Sequence, residues 1–301
     1  MDENRKAMAM ASFSGDSLAL GAHWIYDTER ISKTYGRIDS FLKPPVNSYH
    51  PTKGKGEFTH YGDQALVLLE SVAAMNGFDL SDFSVRWRAL FENYKGYIDQ
   101  ATRATLSRYA AGGTPGNSGS PSDDLAGASR IFPLVYVYHD DLDKLVEASR
   151  SQTRMTHNNV ITVDSAEFFS TVSWFVLDGM TPVEAIKRVS RARFEASPIS
   201  VWVDAGLNSK DTESVASITG FGQSCHIQEA FPGVIHLISR YEKHLKEALV
   251  QSVMAGGDSA ARGIMVGMVL GAHLGKDSLP DEWGSGLIKR EEIVALLEKI
   301  T

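Results

Sequence analysis

The sequence predicts an all-α protein of 301 residues, and three observations predict it. Apolar residues recur at spacings of three and four over most of the chain. No alternating apolar–polar run is long enough to argue for a sheet. Gly263, Gly267, Gly271 and Gly275 stand at every fourth position of a late apolar segment. On a helix they form one stripe bare of side chains, where a second helix can approach closely. A single domain over 1–301 is expected, because no internal repeat, low-complexity tract or linker divides the chain.

Ala65 to Met75 is apolar nearly all round, as a buried helix should be. Between Asp82 and Ala110, Phe83, Trp87, Leu90, Phe91, Tyr94, Tyr97 and Ile98 mark one dry face of a long helix. Leu142–Arg150, Ser165–Leu177, Pro182–Arg193, Ala230–Ser252 and Glu291–Ile300 complete the helical set. Pro182 suits a first-turn position with Thr181 as its cap. Three segments read as irregular. Lys43–His60 and Gly112–Asp124 are rich in Gly, Pro and Ser, and Ser197–Gly222 is mixed and polar. Loops of this length in a compact domain are often functional.

Hydrophobic residues make up 43% of the chain, ample for a large core. Charged residues make up 22%, with a formal net charge of -7. A mildly acidic surface argues against nucleic acid as the main partner. Cys225 is the one cysteine, so no intramolecular disulfide is possible and a reducing compartment is the simple reading. The charged start, Met1 to Lys6, is not followed by a long apolar run, so no signal peptide is expected. The segment from Gly263 to Gly275 is shorter than the ~20 residues a bilayer demands. No membrane partner is expected, and the cytoplasm is the expected location.

Gly-Asp occurs at Gly15-Asp16, Gly62-Asp63 and Gly257-Asp258, the last two directly before apolar helical runs. Each Asp is either an N-cap, accepting from first-turn N–H groups, or one of several carboxylates converging on a polar site. Such oxygens suit hard cations, and paired carboxylates suit glycoside cleavage. His157 follows Thr156 and is a ligand-contact or capping candidate. His23 is a candidate acid or base near neutral pH, or a structural histidine, and the adjoining Trp24 reads as core. Asp123 and Asp124 end a glycine-rich loop; capping explains one and leaves the other for a hydroxyl. Gly222, Gln223 and Ser224 lie in a turn whose N–H groups could receive a phosphate or ribose oxygen. Nothing marks Cys225 as a nucleophile, and it reads as a small buried side chain.

These motifs, taken in order, resemble the ADP-ribosylglycohydrolase family. Gly15-Asp16-Ser17-Leu18 resembles its N-terminal element, and Ala126-Gly127-Ala128-Ser129-Arg130-Ile131-Phe132-Pro133-Leu134 its Gly-x-x-x-Arg-x-x-Pro-Leu stretch. Thr156-His157 resembles its Thr-His pair, and Gly256-Gly257-Asp258-Ser259 with the glycine stripe its C-terminal signature. The resemblance implies an all-helical orthogonal bundle and a cleft that commonly holds two magnesium ions while a bond at a ribose anomeric carbon is hydrolysed. It places Asp63 and Asp258 as metal-ligating and catalytic residues. The resemblance and the residues' own chemistry together put His23, Asp123, Asp124, Gly127, Ser129, Thr156, His157, Gly222, Gln223 and Ser224 around the expected substrate. The family's Thr-Asp-Asp-Thr stretch corresponds here to Tyr61-Gly62-Asp63-Gln64, and its Gly-Gly-Asp-x-Asp-Thr stretch to Gly256-Gly257-Asp258-Ser259-Ala260-Ala261. Two aspartates are enough for one weakly held magnesium ion, not two.

Arg262 lies one helical turn after Asp258, and its guanidinium between Asp63 and Asp258 would satisfy both carboxylates in place of a metal. Otherwise it is an ordinary arginine. Two functional expectations follow. One is a hydrolase of a ribosyl N- or O-glycosidic bond, with an ADP-ribosylated or nucleoside-like partner. The other is a non-catalytic relative that binds a ligand or serves structurally.

Overall fold

The computed structural model describes residues 2–300; Met1 and Thr301, the ends of the expected 1–301 domain, lie outside them. Among the described residues there are helices and no strand, only isolated bridges between Ser120 and His157 and between Asp124 and His226.

In chain order, α1 (Asp2–Ala19), α2 (Thr28–Tyr35) and α3 (His60–Met75) come first, with the Pro- and Gly-rich loop between the last two. Then follow α4 (Leu80–Glu92), α5 (Gln100–Ala110), and the short α6 (Ala126–Ser129) and α7 (Phe132–Val137). The middle of the chain supplies α8 (Leu142–Thr156), α9 (Val160–Leu177), α10 (Pro182–Arg193), α11 (Pro198–Asn208) and α12 (Ser214–Phe221). The end supplies α13 (Ile227–Arg240), α14 (Leu245–Met254), α15 (Ser259–Leu274), α16 (Asp281–Gly286) and α17 (Arg290–Lys299).

The glycine stripe explains how the core is organised. Gly263, Gly267 and Gly271 turn one edge of α15 against Gly15, Ala11 and Ala7 of α1, where a Cβ would meet backbone oxygens of the partner helix. Every residue from Ser259 to Ala272 is buried, because α1, α9, α13 and α14 all pack around this helix. Apolar side chains from Met8 to Ile300 form one contiguous cluster around it. Gly275 does not belong to the stripe: it ends α15 at φ +71°, a left-handed conformation that glycine adopts without Cβ strain.

Several expected boundaries move. The long helix expected over Asp82–Ala110 is α4 and α5, parted near Asn93–Asp99, with Asp99 accepting from Thr102 N to start the second. Ala230–Ser252 is likewise α13 and α14. Ser197–Gly222 is not irregular but holds α11 and α12, capped by Ser197 and Glu213. Asp16 starts no helix; it lies inside α1. Pro182–Arg193 forms as expected, with a reciprocal capping box between Thr181 and Glu184. Val160–Leu177 is long and apolar enough to cross a bilayer, but 61% of it is buried inside the fold, as suits a core helix.

Candidate functional site

Asp258 N-caps α15 at the end of a tightly constrained turn. Gly256 and Gly257 both take positive φ, +69° and +65°, and a side chain on Gly257 would overlap the Gln223 backbone. Backbone bonds tie the turn to two other segments: Trp24 N donates to Gly257 O (2.9 Å), Gly257 N to Ile25 O (2.8 Å) and Asp258 N to Gln223 O (2.8 Å). Arg262 completes the turn from inside. Its guanidinium donates to Ser252 O (2.6 Å), Gly256 O (2.7 Å) and Ser252 Oγ (3.2 Å). Burial lowers its pKa to about 10, which leaves it charged near neutrality. The expected bridge between Asp63 and Asp258 is therefore absent. The carbonyls at the C-terminal end of α14 are near, carry negative partial charge and lack intrahelical donors, so they capture the cation.

The Asp258 carboxylate has its own partners. His23 Nε2 lies 3.1 Å from Oδ1, the Tyr61 hydroxyl donates to Oδ2 at 3.0 Å, and Ala261 N donates to Oδ1 at 3.3 Å. Burial works against the charge, but these donors outweigh it and hold the carboxyl below its usual range. His23 continues into the loop before α3, where its Nδ1 lies 2.9 Å from His50 Nε2. With Asp258 ionised, His23 carries its proton on Nε2, and its Nδ1 accepts from His50 Nε2–H. Burial lowers the pKa of both histidines, His50 to about 2, so the row is neutral. His50 Nδ1 is left buried without a hydrogen-bond partner.

Above this row sits an aromatic cap. Trp24 stacks on His23 at 4.3 Å and meets Tyr49 and Tyr97 edge-on, each at 4.9 Å. Trp24 also holds φ +65°, an uncommon conformation for a bulky residue that costs about 1–3 kcal/mol. Its bond to Gly257 and its ring contacts hold it there.

Asp124 reaches the same region from the other side. Leu125 N donates to Cys225 O (3.0 Å) and Ile227 N to Asp123 O (3.0 Å), which clamps the Asp124 loop beside Cys225. Ala126 N donates to Asp124 Oδ1 at 2.8 Å. The donor atoms of Asp124, Cys225 and Asp258 lie within 4.8 Å of one another, the one group among the described residues close enough to share a metal ion. Burial, then the charge of Asp258, raises the Asp124 pKa well above its usual value. Burial and Asp124 push the Cys225 thiol far up, so it is no thiolate by itself. Asp123 points outward and pairs with His226 at 2.8 Å.

The other expected residues are spent on structure. Arg130, buried at the centre, donates to Gln152, Gln64 and Thr156. Thr156 Oγ1 in turn lies 2.8 Å from His157 Nδ1. Gly127 leaves room for the His157 ring, and Ser129 donates to Ala126 O within its own helix. Gly222 takes φ +109°. Gln223 donates to Ala255 O (2.7 Å) and Tyr26 O (3.0 Å), and Ser224 donates through N and Oγ to Glu229. Of the backbone donors of that turn, Gly222 N donates to Ile218 O and Ser224 N to Glu229.

Asp63 leaves the first turn of α3 in another direction. Lys53 Nζ lies 2.5 Å from its Oδ2, and the Tyr94 hydroxyl donates to the same oxygen. A two-magnesium centre does not fit these donors. One aspartate is engaged by an ammonium, Ala260 and Ala261 follow the other where the family's stretch carries further ligands, and the group that Asp258 shares with Asp124 includes a thiol, which suits softer ions than magnesium. His50, Tyr61, Lys53 and Tyr94 carry no motif of their own. The only signal for two of them was the Pro- and Gly-rich loop that delivers His50 and Lys53.

Comparison with known proteins agrees with this architecture. The ADP-ribosylglycohydrolase family model matches residues 3–301. Crystallin J1A of Tripedalia cystophora is 24% identical, with 99% of this chain and 96% of that protein covered. The ADP-ribosyl-[dinitrogen reductase] glycohydrolase of Rhodospirillum rubrum is 24% identical over 79% of this chain and 76% of its own. A solved structure titled as an ADP-ribosylglycohydrolase-related protein complex superposes with a TM-score of 0.77 at 24% identity, covering 99% of this chain and 97% of that one. The match of the family model over nearly every residue places this chain in the ADP-ribosylglycohydrolase family.

Proposed function

We propose that the chain hydrolyses a ribosyl N- or O-glycosidic bond, in an ADP-ribosylated or nucleoside-like compound, with a carboxylate pair in place of a magnesium pair. One observation carries this reading. Asp124 and Asp258 come together from distant segments, and their surroundings drive their pKa values in opposite directions. Such a pair is an acid and a base sharing one site.

In this reading Asp124, protonated, gives its proton to the leaving group. Asp258, ionised, faces the positive charge that develops at the anomeric carbon. His23, Tyr61 and Ala261 N hold its oxygens in place. A water then adds to the anomeric carbon and gives its proton to Asp124, now ionised, which restores the starting state of the pair. Asp123 and His226, next in sequence to Asp124 and Cys225, have exposed side chains, and Tyr26 and Tyr49 are about half exposed. These groups offer a ribosyl ligand hydroxyl partners and an aromatic edge.

The test is release of ribose or of the aglycone from a panel of ADP-ribosyl and nucleoside substrates, with and without EDTA. Release is expected to survive EDTA. Asp124→Asn and Asp258→Asn are each expected to lower kcat by roughly 10²–10⁴. No release across the panel sinks the proposal. Loss on chelation that zinc restores would hand the Asp124–Cys225–Asp258 group to a metal instead.

A second reading, binding without turnover, has one observation in its favour: Ala260 and Ala261 follow Asp258 where the family's stretch carries further oxygen ligands. Calorimetric binding of ADP-ribose by a chain that releases nothing would support it.

A further inference from the structure

Asp63 occupies a position where the family places a metal ligand, yet its surroundings are built around a different cation. Lys53 Nζ lies 2.5 Å from Asp63 Oδ2, with the two side chains only 12% and 17% exposed. The Tyr94 hydroxyl donates to the same oxygen, and the ammonium also stands 5.5 Å from the Tyr94 ring centre. The lysine is not a dangling surface residue. Lys53 N donates to His50 O (3.1 Å), Thr52 Oγ1 donates to Lys95 O (2.8 Å), and Gly54 N donates to Glu57. The turn that carries Lys53 is thus fastened on both sides.

The neighbouring oxygens that could join Asp63 in a metal site are already engaged, which leaves Asp63 as the carboxylate that the lysine covers. Asp16, across Gly62 from Asp63, accepts from Thr59 N at 2.7 Å and Thr59 Oγ1 at 2.5 Å. Gln64 Oε1 accepts from Trp87 (2.7 Å) and Arg130 (3.1 Å). Magnesium demands near-octahedral oxygen coordination and gives up its water reluctantly. An ammonium tethered to the chain needs neither, and it loses no translational freedom on arrival.

We propose that Lys53 is the resident cation of the Asp63 site, holding it closed to divalent ions, so that this chain is indifferent to magnesium. The proposal rests on the family assignment and the geometry, not on the hydrolysis proposed above, and its test reads binding and stability rather than turnover.

The experiment is thermal denaturation and calorimetric titration of the full chain with MgCl₂ against EDTA. Wild type is expected to show no shift in Tm and no binding heat at millimolar magnesium. Lys53→Met is expected to melt lower, because Asp63 loses its counter-charge, and to regain Tm as magnesium is added. Lys53→Arg is expected to keep the wild-type indifference. Saturable magnesium binding by wild type overturns the proposal, as does a folded Lys53→Met that stays blind to magnesium. If Lys53→Met does not fold, the wild-type titration decides alone.

Discussion

Asp16 sits inside α1 with both carboxylate oxygens turned on Thr59. Burial raises its pKa to about 6 from 3.8, against the pull of those hydrogen bonds. The folded state therefore keeps this proton up to about pH 6, and the unfolded chain only to 3.8. Stability from this residue is complete below pH 3.8 and is lost as pH rises through about 6. The shift corresponds to roughly 3 kcal/mol. Asp16→Asn is expected to flatten that part of the stability curve, which urea denaturation at pH 4.5 and 7.5 would read; an unchanged difference between the two would refute it. His50 makes a separate prediction. Asp258 fixes the His23 proton on Nε2, so His50→Ala should leave a single His23 tautomer by ¹⁵N NMR, whereas Asp258→Asn should give the signals of a mixed imidazole. Asp258 and His23 were visible in the sequence because motif and resemblance both marked them. His50 and Lys53 were not, because their relevance comes from where a loop without periodicity folds; Tyr61 lay in the stretch that includes Asp63, but nothing in that stretch showed that its hydroxyl reaches Asp258. Arg262 was visible as a cation near Asp258, but sequence spacing could not show that carbonyls, not carboxylates, would surround it.

At the level of helices, the α1–α15 contact is the most demanding. A Cβ on Gly267 would fall against Ala11 O and the Ser12 backbone N. Backbone cannot rotate out of the way, so the two helices would have to separate. Gly267→Ala is expected to destabilise by about 1–3 kcal/mol or more. Gly284 in α16 has no atom closer than 3.9 Å to such a Cβ, so Gly284→Ala should be neutral or stabilise by about 0.4–1 kcal/mol. Equal effects of the two in chemical denaturation would contradict the packing argument. The same helices show what periodicity reads well and badly. Pro182–Arg193 was fully legible because its cap, proline and apolar face agree. The break between α4 and α5 was hidden because Tyr94 and Tyr97 keep the helical spacing while serving other ends, one on Asp63 and one in the aromatic cap. Short helices such as α11 and α12 were hidden because they span only 11 and 8 residues and are parted by the polar run Ser209-Lys210-Asp211-Thr212-Glu213.

Across the whole molecule, the all-helical fold was legible because burying an apolar stripe is a requirement repeated along the chain. The site was legible only in part. It gathers His23, His50, Asp124, Cys225 and Asp258 from separate segments, and which of these meet depends on every helix between them. The α1–α15 contact has a further consequence, for synthesis on the ribosome. Residues 2–19 form the helix that needs 259–274 as its cover. At ~5–20 residues per second, the apolar face of α1 waits on the order of ten seconds or more for its partner to be made. A nascent chain halted before residue 259 should therefore hold α1 uncovered, open to capture by chaperones and to misassociation with other nascent copies.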